Sequence, residues 1–435
     1  MAVEFHLRVF LDRSELHKAD GSVDTFQEGQ RSSAAVARYR KIVERLQQGF
    51  LDNAISNCAA DPGALATLEM SEEHVSLLSK IADSVTSEVG RALLGLSILQ
   101  LTIKAIEPGQ SIRLHKSGAG GQSFGWVEGI SMRSLDRDFI TPALRAAGIS
   151  RMNADGFMMT RSFAENYPYS GVYKAAIRGA RGEWLELVEA LESGDLQPEP
   201  GLRFLISRLL NEAEGFRALV DDAIDKLGAS CARGRFASIS DVQSVISKHM
   251  EESTYAARLM EIGMHALLQA LDDLNLLAGL DLVPLSQMRS ANKKHGNVAD
   301  VELADGKFIE FAWDAKYGKA YLRDEFDELS EKIGAHAGLR LAGFVTSVPL
   351  VRREEHMRRI AELEELHQIR ITCETLDEWV QARTQELAQS HSSEREIAHA
   401  WIRAYVESLG QRRAETAPID EPCGLWVKSL MRLLD

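Results

Sequence analysis

The stretch VADVELADGKFIEFAWDAK, residues 298–316, decides the fold of the C-terminal part of this chain. Within it, two runs of alternating apolar and polar residues, 298–303 and 308–315, flank the tetrapeptide Ala304-Asp305-Gly306-Lys307. An Asp-Gly pair between two such runs is the strongest short-range signal for a β-hairpin. We therefore predict two antiparallel strands joined by a tight turn.

Alternation along the second strand separates polar from apolar side chains, because successive residues point to opposite faces of a sheet. The predicted polar face consists of Glu310, Ala312, Asp314 and Lys316. The predicted apolar face consists of Ile309, Phe311, Trp313 and Ala315. Asp300, on the first strand, comes close to Asp314 if the register of the hairpin pairs them.

The segments around the hairpin predict a mixed sheet flanked by helices. Their patterns give, in order, a helix over 253–275, a strand over 280–283, the hairpin, a helix over 321–337, a strand over 339–348, a helix over 351–367 and a strand over 369–373. This succession is typical of an α/β or α+β domain.

The hairpin residues suggest metal chemistry. Carboxylates packed together repel each other, and each costs several kcal/mol to desolvate without a partner. A hard divalent cation such as Mg²⁺ relieves that repulsion, since it takes oxygen ligands and keeps several waters. A nearby lysine would orient a water molecule or stabilise the charge that develops on a phosphate.

Asp300, followed after thirteen residues by Asp314-Ala315-Lys316, resembles the PD-(D/E)xK nuclease signature. The order of elements over residues 253–373 resembles the core of that superfamily, although Ala299 stands where the family usually has proline. The resemblance implies metal-dependent cleavage of double-stranded DNA. It implies Asp300 and Asp314 as ligands of Mg²⁺, for which Mn²⁺ can substitute, and Lys316 as the catalytic lysine.

Two further carboxylates are candidates for the same site. Some members of the superfamily add an acid from the preceding helix, and Glu261 has that position here. Glu310 has a weaker claim, because only Asp314 has the spacing to Lys316. The whole chain looks most like a type II restriction endonuclease. That likeness implies a sequence-specific host-defence enzyme, a cognate methyltransferase and a homodimer, because two sites related by a twofold axis would cut both strands.

Other functions remain open at this level. In the simplest alternative, the acids are solvated and Lys316 only pairs with Asp314. The chain could also be a nuclease subunit of a multi-protein defence system that works only with a partner such as a translocating motor. The motor would then be another protein, because this chain has no ATP-binding motif. A third alternative is a non-catalytic DNA-binding protein on a nuclease fold. The motifs of serine hydrolases, kinases and dehydrogenases are absent.

A basic segment is the candidate for DNA recognition. Residues 101–182 contain eleven Lys and Arg against six Asp and Glu. Such side chains contact phosphates and base edges. The predicted DNA-contacting residues are Arg113, His115, Lys116, Gln122, Arg133, Arg137, Arg151, Asn153 and Arg161, together with Lys293 and Lys294 before the hairpin.

Four segments follow from the changes in pattern. They are a helical region over 1–110, a winged-helix-like recognition domain over 111–182, a helical connector over 183–249 and a nuclease domain over 250–435.

Composition is that of an ordinary globular protein. The chain has 435 residues and a net charge of −14, from 50 Lys and Arg against 64 Asp and Glu, which excludes a generally basic protein. The four cysteines form no CxxC pair, and no targeting or membrane segment is evident, so we expect a cytoplasmic location.

Overall fold

The structure, a computed structural model, describes residues 5–61, 70–84, 91–114, 125–149, 168–173, 177, 179–285, 297–385, 392–411 and 422–434. The chain divides into two compact units. Unit 1 comprises Met1–Phe216 and Ala417–Pro422, and unit 2 comprises Arg217–Thr416 and Cys423–Asp435. Among the described residues, no helix combines the length and the apolar character needed to span a lipid bilayer.

Unit 1 begins with a small antiparallel sheet in the order β1-β2-β3, formed by β1 (His6–Val9), β2 (Arg13–His17) and β3 (Val23–Gln27). Helices follow, namely α1 (Ser33–Gln47), α2 (Phe50–Ala60), α3 (Glu72–Asp83), α4 (Arg91–Ile106), α5 (Met132–Leu135), α6 (Thr141–Ala146) and α7 (Arg181–Ser193). A π-helical turn, Asp136–Ile140, connects α5 to α6. The next helix, α8, is Pro198–Ala232.

The predicted recognition segment 111–182 has no separate hydrophobic core in its described part. Ile112, Leu135, Ile140 and Tyr169 belong to the same buried cluster as residues of α1–α4 and α7. The predicted limits at 110 and 182 therefore do not separate two cores. The reason is that the basic residues are interspersed with apolar ones that complete the helical core on both sides of them.

Unit 2 contains a five-stranded mixed sheet in the order β4-β5-β6-β7-β8. Pairing is antiparallel from β4 to β6 and parallel from β6 to β8. The elements are α9 (Ile239–Glu251), α10 (Ala256–Asp273), β4 (Asp281–Leu282), β5 (Val301–Asp305), β6 (Phe308–Lys316), α11 (Arg323–Ile333), β7 (Leu341–Thr346), α12 (Arg353–His367), β8 (Arg370–Thr375), α13 (Leu376–Gln385), α14 (Glu394–Gln411) and α15 (Cys423–Leu433). The predicted order of helices and strands is confirmed, and the unit is an α+β arrangement.

The β5–β6 hairpin has the predicted tight turn, but Ala304 and Asp305 belong to β5, so the turn consists of Gly306 and Lys307 alone. Gly306 has φ 58°, in the left-handed region that the first position of such a turn requires. Val301 pairs with Trp313, whereas Ala304 pairs with Ile309, so Glu310 is an extra residue in β6. The predicted alternation holds from Phe311 onward, but this bulge interrupts it at Glu310.

Helices cover both faces of the sheet near the hairpin. Ala312 on one face packs in a cluster with Phe326 of α11 and Ile360 of α12. On the other face, the Trp313 ring meets the ring of Trp379 in α13 edge-on, with centroids 5.7 Å apart. Helix α10 lies against β5 and β6. The end of β6 that carries Asp314 is therefore enclosed rather than solvated.

Candidate active site

Asp300 and Asp314 come together at the open end of the hairpin, away from its turn. Extending the Val301–Trp313 pair by one residue places Asp300 opposite Asp314. The Asp300 carboxyl is within hydrogen-bonding reach of the Asp314 carboxylate. Asp300 Oδ2 also accepts the N–H of Ala315 at 3.0 Å. The register on which the sequence argument depended is therefore present.

The two carboxyls have opposite pKa shifts. Burial, followed by the negative charges of Asp314 and Glu261, raises the pKa of Asp300 well above its usual value. Burial alone would also raise the pKa of Asp314. The hydrogen bond from Asp300 and the charge of Lys316 outweigh that effect, so the pKa of Asp314 lies below its usual value. Without a cation, burial and the charge of Asp314 therefore favour the protonated form of Asp300, which can donate a hydrogen bond to the Asp314 carboxylate.

Lys316 lies two residues further along β6, on the same side of the strand as Asp314. Its Nζ is 2.7 Å from Asp314 Oδ2. Burial would lower the pKa of Lys316, but the charge and the hydrogen bond of Asp314 outweigh it and raise that pKa. The ammonium group is therefore charged and held directly beside the carboxylate pair.

Glu261 reaches the site from α10. Its charge contributes to the raised pKa of Asp300, and its own carboxylate forms an ion pair with Arg258, one turn earlier in the helix. Both side chains are largely shielded from water. Helix α10 therefore places a third carboxylate near the pair, already neutralised by a buried guanidinium.

Glu310 is not part of this group. Its Oε2 pairs with Arg340 Nη1 at 2.9 Å. It also precedes Asp314 by four residues, or roughly 13 Å along an extended strand. The prediction that Glu310 belongs to the site is wrong, because the bulge and the ion pair with Arg340 hold it at the other end of β6.

Asp300 and Asp314 suit a hard divalent cation. Within the described ranges, no cluster of three or more His, Cys, Asp or Glu side chains has metal-holding geometry. Mg²⁺ does not need such a cluster, since it binds through one or two carboxylates and keeps several waters. A cation at this pair would replace the proton of Asp300 and neutralise the charge that burial makes costly.

Sequence analysis did not single out Glu302 or Lys332. Glu302 is 2% exposed, and its Oε1 accepts the N–H groups of Val298 and Ala299 at 2.5 and 3.0 Å. Lys332 of α11 is buried, and its charge acts on both Glu302 and Asp314. The sequence contains one indication of this burial: Glu302 is an acid within the apolar run that forms β5, at a position that faces the core.

The predicted DNA contacts have different outcomes. Arg113 is 1% exposed and pairs with Glu189 through two contacts of 2.9 and 2.5 Å, so its prediction as a DNA contact is wrong. Arg133 and Arg137 are exposed, and Arg137 pairs with its neighbour Asp138. The remaining candidates lie outside the described residues, namely His115, Lys116, Gln122, Arg151, Asn153, Arg161, Lys293 and Lys294.

No model of a known protein family matches the chain, and no curated protein matches it either.

Proposed function

We propose that this protein is a metal-dependent endonuclease that hydrolyses phosphodiester bonds in double-stranded DNA. The observation that carries the proposal is the geometry of three side chains: Asp300 lies opposite Asp314 in the hairpin, and Lys316 Nζ is 2.7 Å from Asp314 Oδ2. A buried like-charge pair with an adjacent ammonium group is poorly explained as a structural device, because apolar residues would fill the same space at lower cost.

Each side chain has a distinct part in the proposed reaction. Asp300 and Asp314 would hold a divalent ion, and Asp300 would give up its proton on binding it. Mg²⁺ supplies Lewis-acid polarisation of the phosphate, and Mn²⁺ can take its place. Lys316 stays charged at neutral pH because its pKa is raised. Its ammonium would donate a hydrogen bond to the negative charge that develops on the phosphate.

The DNA duplex is the proposed substrate, and the resemblance to type II restriction endonucleases suggests how it is recognised. In this proposal the enzyme is sequence-specific, acts as a homodimer in host defence and has a cognate methyltransferase. Arg133 and Arg137 are the described basic residues best suited to phosphate contacts, because both are exposed on one short stretch of helix.

The test is cleavage of mixed-sequence plasmid DNA with Mg²⁺ or with EDTA. We expect discrete Mg²⁺-dependent fragments from the wild type and none from Asp300→Asn or Lys316→Met. The matched controls are Asp305→Asn and Lys307→Met, at the other end of the same hairpin, where both residues are exposed. Both controls should cleave as the wild type does.

The alternatives give different results in the same experiment. A folded wild type that binds Mn²⁺ without cutting would favour a subunit that requires a partner. DNA binding without any Mn²⁺ binding would favour a non-catalytic DNA-binding protein. Cleavage that persists in EDTA, or in Asp300→Asn, would contradict the proposed mechanism.

A further inference from the structure

Glu302 is a buried carboxylate that holds the backbone directly before Asp300. Its Oε1 accepts the N–H groups of Val298 and Ala299 at 2.5 and 3.0 Å. Both of these residues are themselves buried, and they precede the first residue of β5, Val301. The Glu302 side chain therefore takes the place of a neighbouring strand for two N–H groups that the sheet does not pair.

This contact links the start of the hairpin to its first strand. Glu302 is opposite Ala312 in the β5–β6 ladder, and its backbone carbonyl accepts the N–H of Val283. The residue is thus fixed on both sides by the sheet. Because its carboxylate binds residues 298 and 299, the position of Asp300 relative to β6 depends on Glu302.

The contact uses a charged group where a neutral one would serve. Asn, Ser and Thr close comparable local turns through side-chain hydrogen bonds without a charge. Burial raises the pKa of Glu302, against the effect of its two N–H donors and of the charge of Lys332. Lys332 Nζ also lies 3.1 Å from Glu328 Oε1. A further buried acid, Glu302, thus lies two residues from Asp300, and the positive charge of Lys332 acts on it.

We propose that Glu302, through its contacts with the N–H groups of Val298 and Ala299, is a positioning residue that holds Asp300 against Asp314 and so sets the affinity of the site for a divalent cation. This inference rests on the proposed function, since it assumes that the aspartate pair binds a metal. Outer-shell groups that orient metal ligands commonly change affinity or activity by 10- to 100-fold when they are removed.

The experiment is a calorimetric titration with Mn²⁺, together with DNA cleavage, on the full chain. We expect Glu302→Ala to weaken Mn²⁺ binding by about 10- to 100-fold. Glu302→Gln should stay within about threefold of the wild type, because its amide oxygen still accepts both N–H groups. If Glu302→Ala does not fold, Glu302→Asp replaces it as the test variant. It keeps the charge but is one methylene too short, so we expect weakened Mn²⁺ binding there as well.

Glu364→Ala is the matched control. Glu364 Oε1 accepts the N–H of Ile371 at 2.8 Å, so this variant removes the same kind of contact at the start of β8. It should lose stability but keep the Mn²⁺ affinity of the wild type. A purely structural role for Glu302 would make the two alanine variants behave alike.

The outcomes separate this inference from the proposed function. Wild-type Mn²⁺ affinity in folded Glu302→Ala or Glu302→Asp would overturn the inference alone. Equal weakening in Glu302→Gln and Glu302→Ala would also overturn it, since the lost acceptor could not then be the cause. Absence of Mn²⁺ binding by the wild type would overturn both, and DNA cleavage without a metal would contradict the proposed function directly.

Discussion

The β5–β6 hairpin and the basic segment 111–182 both place charged side chains in apolar surroundings, but they compensate those charges differently. In the hairpin, Asp300 and Asp314 face each other, and burial together with the negative charge of Asp314 raises the pKa of Asp300. In the basic segment, buried Arg113 meets Glu189 in a two-point ion pair and also donates to the carbonyl of Tyr169 at 2.6 Å. In the first arrangement Lys316 is one positive charge beside two facing carboxyls, and in the second each charge meets one of opposite sign.

This difference separates a candidate site from a structural ion pair. A buried pair of opposite charges needs no further ligand once its hydrogen bonds are made. A buried pair of like charges can be neutralised only by a proton or by a cation. The four predictions below test that contrast, from the largest expected effect to the smallest.

The largest effect should come from the hairpin carboxylates. We expect Asp314→Asn to lower the rate of DNA cleavage by on the order of 10³-fold, because a metal ion contributes several kcal/mol and each 1.36 kcal/mol is tenfold. Glu310→Gln, on the same strand, should have little effect, since Glu310 pairs with Arg340. Initial rates on a plasmid measure both. Equal losses of cleavage rate in Asp314→Asn and Glu310→Gln would contradict the conclusion that Asp314 belongs to the site and Glu310 does not.

We expect Arg113 to contribute to the stability of the folded protein and not to its affinity for DNA. Arg113→Met removes the hydrogen bond to the Tyr169 carbonyl and the ion pair with Glu189, whose side chain is 40% exposed, so the free energy of unfolding should fall by about 1–2 kcal/mol. Arg137→Met removes an exposed ion pair and should leave the free energy of unfolding almost unchanged. Urea denaturation measures both values. A weakened DNA affinity in folded Arg113→Met would contradict the structural role.

Asp300 should make the metal-free protein less stable as the pH rises. Its pKa is raised in the folded state, so folding favours the protonated form. Stability is therefore lost as the pH increases from about 4, the usual value for Asp, through the pKa of folded Asp300. Asp300→Asn should not show this loss. The test is the pH profile of the unfolding free energy, wild type minus variant, and saturating Mn²⁺ should remove the loss of stability at high pH in the wild type.

The smallest effect concerns the exposed arginines of the basic segment. If Arg133 and Arg137 each neutralise one phosphate, each alanine variant should lower the slope of log affinity against log salt by about 1. Arg403→Ala is the control, because Arg403 forms a similar exposed pair with Glu407 within one helix. An unchanged salt slope in both variants would place the DNA contacts elsewhere in the chain.

Much of unit 2 was predictable because its signals are local. The Asp305-Gly306 turn, the alternation along β6 and the spacing from Asp300 to Lys316 all lie within nineteen residues, 298–316. These signals were enough to bring Asp300, Asp314 and Lys316 together. The α+β class follows from the same local patterns.

The errors concern features that local patterns do not encode. The bulge at Glu310 depends on how β6 pairs with β5, and no residue type in the sequence marks it. Arg113 was predicted to be exposed because its partner, Glu189, lies 76 residues away. Glu302 was overlooked because an acid in an alternating strand is normally solvated, and its burial depends on the helix that supplies Lys332.

The most direct test of the account is a calorimetric titration of the wild type and of Asp300→Asn with Mn²⁺ at about pH 5, in buffers with different ionisation heats. Because the pKa of Asp300 is raised, metal binding at the pair should release protons in the wild type. In Asp300→Asn, we expect binding at least about tenfold weaker and no proton release. Absence of binding in the wild type, or equal affinity and proton release in the two proteins, would contradict the claim that Asp300 and Asp314 form a cation site.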